Sequence, residues 1–262
     1  MSIALQVALV MVTILVVLLV IGAPIGVAIG MSSAVSMICM IPADVSFATS
    51  AQRIFAGSNS FSLIAIPFFI LAGNIMNNGG IATRLVNCAK VISGRMPGAL
   101  AQSNVVANML FGAISGSGAA AAAAMGGTIG PLEEKEGYDK NYSTAVNVAS
   151  APVGMLIPPS NTMIVYSSVA GSVSIAALFM AGYIPGLLWG GAVMILAGIM
   201  AKKRGYQAEQ RVPVKVALKT FWQAIPSLLL IVIVIGGILG GIFTATEGSA
   251  IAVVYATVLS LI

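Results

Sequence analysis

The chain has 262 residues, of which 59% are hydrophobic and 7% charged. A soluble domain carries about 25% charged residues, so a soluble fold is excluded and an all-α polytopic membrane protein is expected. The net charge of +5 reads as basic cytoplasmic loops under the positive-inside rule, not as a nucleic-acid surface.

Residues 1–43 contain no charge, too long a stretch for one crossing of a bilayer core of roughly 30 Å. Gly22-Ala23-Pro24 divides it, which predicts two helices over about 3–21 and 24–41. No basic region precedes the first apolar run, so it reads as a span and not as a signal peptide. Residues 42–60 mix Asp44 and Arg53 with apolar positions and are expected along an interface, completing an N-terminal scaffold over 1–60. Phe61–Met76, with Pro67 inside it, is the next crossing, and Asn77-Asn78-Gly79-Gly80 ends it. Residues 81–95 set Arg84, Lys90 and Arg95 among Leu85, Val86, Ala89 and Val91, the pattern of a basic amphipathic arm at headgroup level.

Residues 96–132 again lack charge. Ser115-Gly116-Ser117-Gly118 falls near their middle and leaves two pieces too short to span separately. A re-entrant hairpin over 97–131 is therefore expected, entering over Pro97–Ile114 and leaving over Ala119–Gly130. Glu133, Glu134, Glu136 and Asp139 follow in a polar turn expected to be a solvated face. Residues 142–170 read as a broken helix. Pro158-Pro159 interrupts it, and Ser160 is the N-cap of its second half. After a turn at 171–174, Ile175–Tyr183 is a short piece ending at Pro185, and Gly186–Met200 completes a return crossing. Lys202, Lys203, Arg204, Arg211, Lys215 and Lys219 then face only Glu209. Ile225–Phe243 crosses again, Thr244–Gly248 turns, and residues 249–262 begin another span.

With 202–219 in the cytoplasm, counting backwards places 171–174 outside and 132–142 inside. A hairpin then leaves Arg84, Lys90 and Arg95 cytoplasmic and the N-terminus outside; a straight helix over 97–131 would put those cations outside. The chain lacks His, and neither Ser115 nor Ser117 has a buried acid or Lys beside it, so an enzyme is not expected. Cys39 and Cys88 lack the spacing of a disulfide framework or a zinc site.

Both breaks lie in apolar sequence, where non-helical backbone must be bonded by protein or line a cavity. Pro158 and Pro159 remove two N–H donors and free carbonyls before them. Half-helices starting near Gly118 and Ser160 turn N-termini, each worth about half a positive charge, toward the cavity. That favours a carboxylate, with Asn161 and Thr162 adding neutral hydrogen bonds. Asn104 and Asn108 read equally as substrate contacts or as polar contacts between helices. A channel would also use half-helices, but no charge ring or repeated carbonyl filter is present.

Phe61–Gly73, Ile114-Ser115-Gly116-Ser117-Gly118, Ile157-Pro158-Pro159-Ser160-Asn161, Leu178–Gly182 and Phe243-Thr244-Ala245-Thr246-Glu247 stand in one order along the chain. In that order they resemble the large membrane subunit of the tripartite ATP-independent periplasmic (TRAP) transporters, from about Pro24 onward. The resemblance implies a sodium-coupled secondary transporter of elevator type in the bacterial inner membrane. Its partners would be a smaller membrane subunit and a periplasmic solute-binding protein that delivers a small organic acid: a dicarboxylate, keto acid or sugar acid. It also implies that Ser115, Ser117, Gly154, Ile157 and Pro159 line one sodium site, and that Gly116, Gly118, Ser160, Asn161 and Thr162 face the substrate. Sodium is the coupling ion and no other cofactor is expected. Members of that family have two inverted halves, each with a hairpin and a broken helix. This chain reads as the first half and, over 220–262, the start of the second, so a truncated permease without activity of its own is the alternative expectation.

Overall fold

The computed structural model describes residues 3–171, 173–206, 208 and 213–261, and among these every regular element is helical. Ser172 of the expected turn and Glu209 and Arg211 of the basic loop lie outside the described residues. Two units are distinguished, 1–60 and 61–262.

The first unit contains α1 (Ile3–Val20), α2 (Ile25–Ile38) and α3 (Ala43–Ser58). Gly22, at φ +88°, and Pro24 separate α1 from α2. No residue of α1 is buried, as suits a helix whose solvent is lipid. Helix α2 has 14 residues, about 21 Å, and is short for a full crossing. Ser46 of α3 donates its hydroxyl to the carbonyl of Ala34 at 2.7 Å, fixing α3 against α2.

The second unit opens with a 3₁₀ turn (Phe61–Ile64) leading into α4 (Ala65–Asn78). Pro67 falls in the first turn of α4, where a missing N–H breaks no helical bond. Helix α5 (Ile81–Ser93) buries Ile81, Leu85, Val86 and Ala89. That apolar face is covered by α6 (Ala99–Ser115) and α13 (Val214–Leu239), so protein, not a lipid headgroup layer, takes up the stripe that makes the segment amphipathic. The α6 helix is followed by α7 (Gly118–Thr128), α8 (Gly130–Lys135), α9 (Lys140–Ser150), α10 (Val153–Leu156) and α11 (Asn161–Ala170).

Helix α12 (Ile175–Arg204) is a single helix of 30 residues that runs through Pro185, where two pieces were expected. Pro185 removes one helical hydrogen bond, but Gly182 and Gly186 beside it let the backbone and side chains of Leu156 and Ile157 pack directly on the helix. Tertiary contact holds the helix where local propensity would end it. The last helix, α14 (Ala245–Ser260), begins where a turn was expected. Thr244 and Glu247 form a capping box: the Glu247 carboxylate accepts from Thr244 N at 2.7 Å, and Thr244 Oγ1 accepts from Glu247 N at 3.3 Å. Helix α14 packs along α4, and Thr246 Oγ1 donates to the carbonyl of Phe61 at 2.9 Å.

Four helical stretches are long and apolar enough to cross a membrane among the described residues, or five when the bent pair over 140–170 is counted as one span. The protein is accordingly a multi-pass membrane protein.

Helix α6 runs antiparallel to α12. Gly98 packs on Ala201, Gln102 Nε2 donates to Met194 O at 2.8 Å, and Gly190 lies against Met109. The turn before α9 returns to the same end of α12. Asp139 pairs with Arg204 at 3.1 Å, its backbone N–H donates to Tyr206 Oη at 2.8 Å, and Tyr138 stacks on Tyr206 with centroids 4.2 Å apart. The start of α6 and the end of α8 therefore lie beside the basic C-terminal end of α12. The α6–α7 break lies farther along α12, toward Gly182 and Gly186.

Candidate functional site

The first break is built by local chemistry. Gly116 has φ +62°, and its N–H closes α6 by bonding Gly112 O at 2.8 Å. A left-handed residue at this position favours glycine. Ser117 is extended and caps α7 by accepting from Ala120 N at 3.3 Å. Ser115 is buried, and its Oγ makes only long contacts, 3.4 Å each, with the backbone of Ser117.

At the second break α10 stops at Leu156, Ile157 is extended, and a cis peptide joins Pro158 to Pro159. The flanking helices are bent by 49°. Gly154 O and Met155 O lose their i+4 donors because Pro158 and Pro159 have none. Met155 O is satisfied instead by Ser160 Oγ at 2.5 Å, and the same hydroxyl accepts from Met163 N at 3.3 Å to cap α11. Ser160 is thus the expected N-cap. Ser160→Ala is expected to destabilise the protein by about 1 kcal/mol, read as a lower midpoint in thermal unfolding in detergent.

Asn161 joins the two breaks. Its backbone N–H donates to Gly116 O at 3.2 Å and its Nδ2 to Ser115 O at 3.3 Å. Its Oδ1 is buried without a protein partner. Pro159 O lies directly against Gly116, so a side chain there would be crowded as well as strained by the positive φ. Ser115, Gly116, Pro159 and Asn161 are therefore brought together, with Ser117 and Ser160 as the caps on either side. Gly118 packs on Ala151 O, and Gly154 packs backbone to backbone on Gly112. Ile157 lies against Gly186 of α12. Thr162 faces elsewhere, into a cavity of ≈ 340 Å³ with Met155, Met163, Tyr166 and Trp189.

A cavity of ≈ 200 Å³ adjoins the first break, lined by Ser115 and Ser117 together with Asn74 and Asn77 of α4. Asn74 was not singled out from the sequence. The available signal is an i, i+3 pair of asparagines on one helical face at the end of an apolar span.

Beyond the tip, α6 and α9 are joined by a buried amide network. Asn108 Nδ2 lies 2.9 Å from Asn104 Oδ1, 3.0 Å from Asn147 Oδ1 and 2.7 Å from Ser150 Oγ. Asn108 is thus a contact between helices through its Nδ2, while its Oδ1 is buried without a partner. Asn147 continues the network to Ala122 O of α7 at 2.9 Å.

The expected solvated face also needs correction. Glu134, Glu136 and Asp139 are exposed, and the backbone N–H of Tyr142, then Arg204, holds the Asp139 carboxyl below its usual range. Glu133 is instead buried, with 1% of its surface exposed, because α8 turns that position inward toward Asn104 and Ser143.

A Salmonella typhimurium protein described as uncharacterized, YgiK, is 54% identical over 231 residues, covering 88% of this chain and 53% of that protein. The C4-dicarboxylate TRAP transporter large permease protein DctM of Rhodobacter capsulatus is 38% identical over 226 residues, covering 81% of this chain and 51% of its own length. The sialic acid TRAP transporter large permease protein SiaM of Vibrio cholerae is 40% identical over 217 residues, covering 81% and 50%. The chain spans about half the length of these relatives. Residues 12–262 match the family described as the tripartite ATP-independent periplasmic transporter, DctM component, and the chain belongs to that family.

Proposed function

We propose that the chain supplies the first half of the transport site in a sodium-coupled permease that imports a small organic acid. The observation that carries this reading is the junction at Asn161, where two helix breaks share hydrogen bonds beside a buried amide oxygen without a partner. Sodium is a hard cation that takes oxygen ligands, and carbonyls and hydroxyls supply them without burying a fixed charge. Ser115, Ser117 and Pro159 lie at the junction. Gly154 and Ile157 contribute carbonyls from the stretch leading into it.

Two capped half-helices, α7 and α11, start at this junction, and their N-termini favour a carboxylate. Gly116, Gly118, Ser160 and Asn161 border that position; Thr162, turned into the neighbouring cavity, is the weaker member of the set. Relatives named for C4-dicarboxylate and sialic acid support an organic acid as the substrate class.

In this reading α6 and α7 form a re-entrant hairpin with both feet in the cytoplasm. The meeting of Gly98 with Ala201 and of Asp139 with Arg204 at one end of α12 supports it. The basic end of α12 then faces the cytoplasm of a bacterial inner-membrane protein, and the N-terminus faces the periplasm. The transport unit moves as an elevator. A small membrane subunit and a periplasmic solute-binding protein complete the system.

The test is uptake of labelled organic acids by the full-length permease with its partner components in proteoliposomes. Accumulation is expected with a sodium gradient and is expected to vanish when choline replaces sodium; equal uptake in choline would refute the coupling. Asn161→Ala is expected to raise the sodium concentration for half-maximal uptake at least about tenfold, a loss of about 1.4 kcal/mol, with the protein still folded.

A further inference from the structure

A second polar centre lies away from the two breaks, at the foot of α6, α8 and α9. Glu133 carries two buried carboxyl oxygens without a hydrogen-bond partner. Around it, Asn104 Nδ2 and Ser143 Oγ are also buried and unpartnered, the residues being 1% and 9% exposed. All three border a cavity of ≈ 360 Å³. Three unsatisfied groups converging on one cavity call for an account, because buried polar groups in folded proteins are almost always bonded.

We propose that Glu133, with Asn104 and Ser143, forms a proton-binding site at this foot, with the carboxyl buried while it is neutral and hydrated when it is ionised.

The surroundings favour the neutral form. Among the described residues no cation is paired with Glu133; the ion pair nearby joins Asp139 to Arg204. Helices α6 and α7 carry no ionisable side chain. The titratable groups around the cavity are Glu134 on the same helix, Tyr138 in the turn and Lys140 on α9, with Tyr142 of α9 in electrostatic range. Burial therefore dominates and pushes the carboxyl up to about 7, although Ser143 and Asn104 stand close enough to pull it partly back. A neutral carboxyl fits this buried position, since its carbonyl oxygen can accept from Asn104 and its hydroxyl can engage Ser143. An ionised one draws water into a space large enough to hold it.

The sign of the effect on stability follows. A folded-state value raised above the ordinary 4.5 gives stability that is complete below about 4.5 and is lost as pH rises to about 7. Infrared pH-difference spectra of the purified full chain in detergent test the site directly. The carbonyl band of a protonated carboxylic acid is expected to disappear with a midpoint of about 7, to be absent in Glu133→Gln and to persist in Glu134→Gln. The melting temperature of the wild type is expected to fall between pH 4.5 and about 7, and that of Glu133→Gln to stay level. A wild-type midpoint in the ordinary carboxylate range overturns the proposal, whether or not the variants fold. So does a neutral-range band that survives Glu133→Gln.

Discussion

Gly112→Ala is expected to destabilise the protein by about 3 kcal/mol or more, enough to remove most of the folded chain from a size-exclusion profile in detergent. At this position α6 and α10 touch backbone to backbone: a Cβ on Gly112 would fall on Cα of Gly154, and a Cβ on Gly154 would fall on Cα of Gly112. Neither neighbour is a flexible side chain that can swing aside. The helices would have to separate, and the hydrogen bonds between Gly116, one turn beyond Gly112, and Asn161, across the second break from Gly154, would be lost. Gly154→Ala is expected to behave alike, and the double variant to fall short of the sum because both remove one contact. Gly127→Ala is the control. Its Cβ would meet nothing within 4 Å, and replacing a helical glycine there is expected to be neutral or to stabilise by up to about 1 kcal/mol.

The second large effect is expected at Asn108. Asn108→Leu removes the amide that joins Asn104, Asn147 and Ser150. Two of these partners sit on α9 and one on α6, so the substitution both leaves acceptors bare and loosens the pairing of the two helices. Hydrogen bonds between membrane helices average about 0.6 kcal/mol and reach about 1.7, and orphaned buried groups add their desolvation cost. A loss of about 2–3 kcal/mol is expected, read by thermal unfolding. If the melting curve of Asn108→Leu overlays that of the wild type, the network has no structural role.

Both effects concern positions that the sequence marks unevenly. The breaks are legible because their causes are local: a left-handed Gly116, a capping Ser117, and two prolines without N–H groups. What brings the breaks together is less legible, since the bonds from Asn161 to Ser115 and Gly116 depend on how α10 lies on α6. Asn108 is ambiguous in sequence for the same reason, and only packing shows that its Nδ2 joins α6 to α9. Glu133 illustrates the limit most clearly. In a run of Glu-Glu-Lys-Glu every member reads as solvated, and which one turns inward depends on the rotation of α8 against α6 and α9. Pro185 is misleading in the opposite sense: the local rule says stop, and contacts with Leu156 and Ile157 carry α12 through. The start of α14 is the reverse case: a turn is expected over Thr244–Gly248, although Thr244 and Glu247 stand at the spacing of a capping box, a local signal for a helix start.

The pairing of α4 with α14 sets an order of events during synthesis. Thr246 reaches back 185 residues to Phe61, and a ribosome adds about 5–20 residues per second. Helix α4 therefore waits about 10–40 s for its permanent neighbour. Through that interval the face of α4 that packs on α14 stands without its partner. A chaperone or insertase that shelters α4 would act in this window. Slow codons before Thr244 would lengthen it, exposing the nascent protein to membrane proteases before the second unit can close.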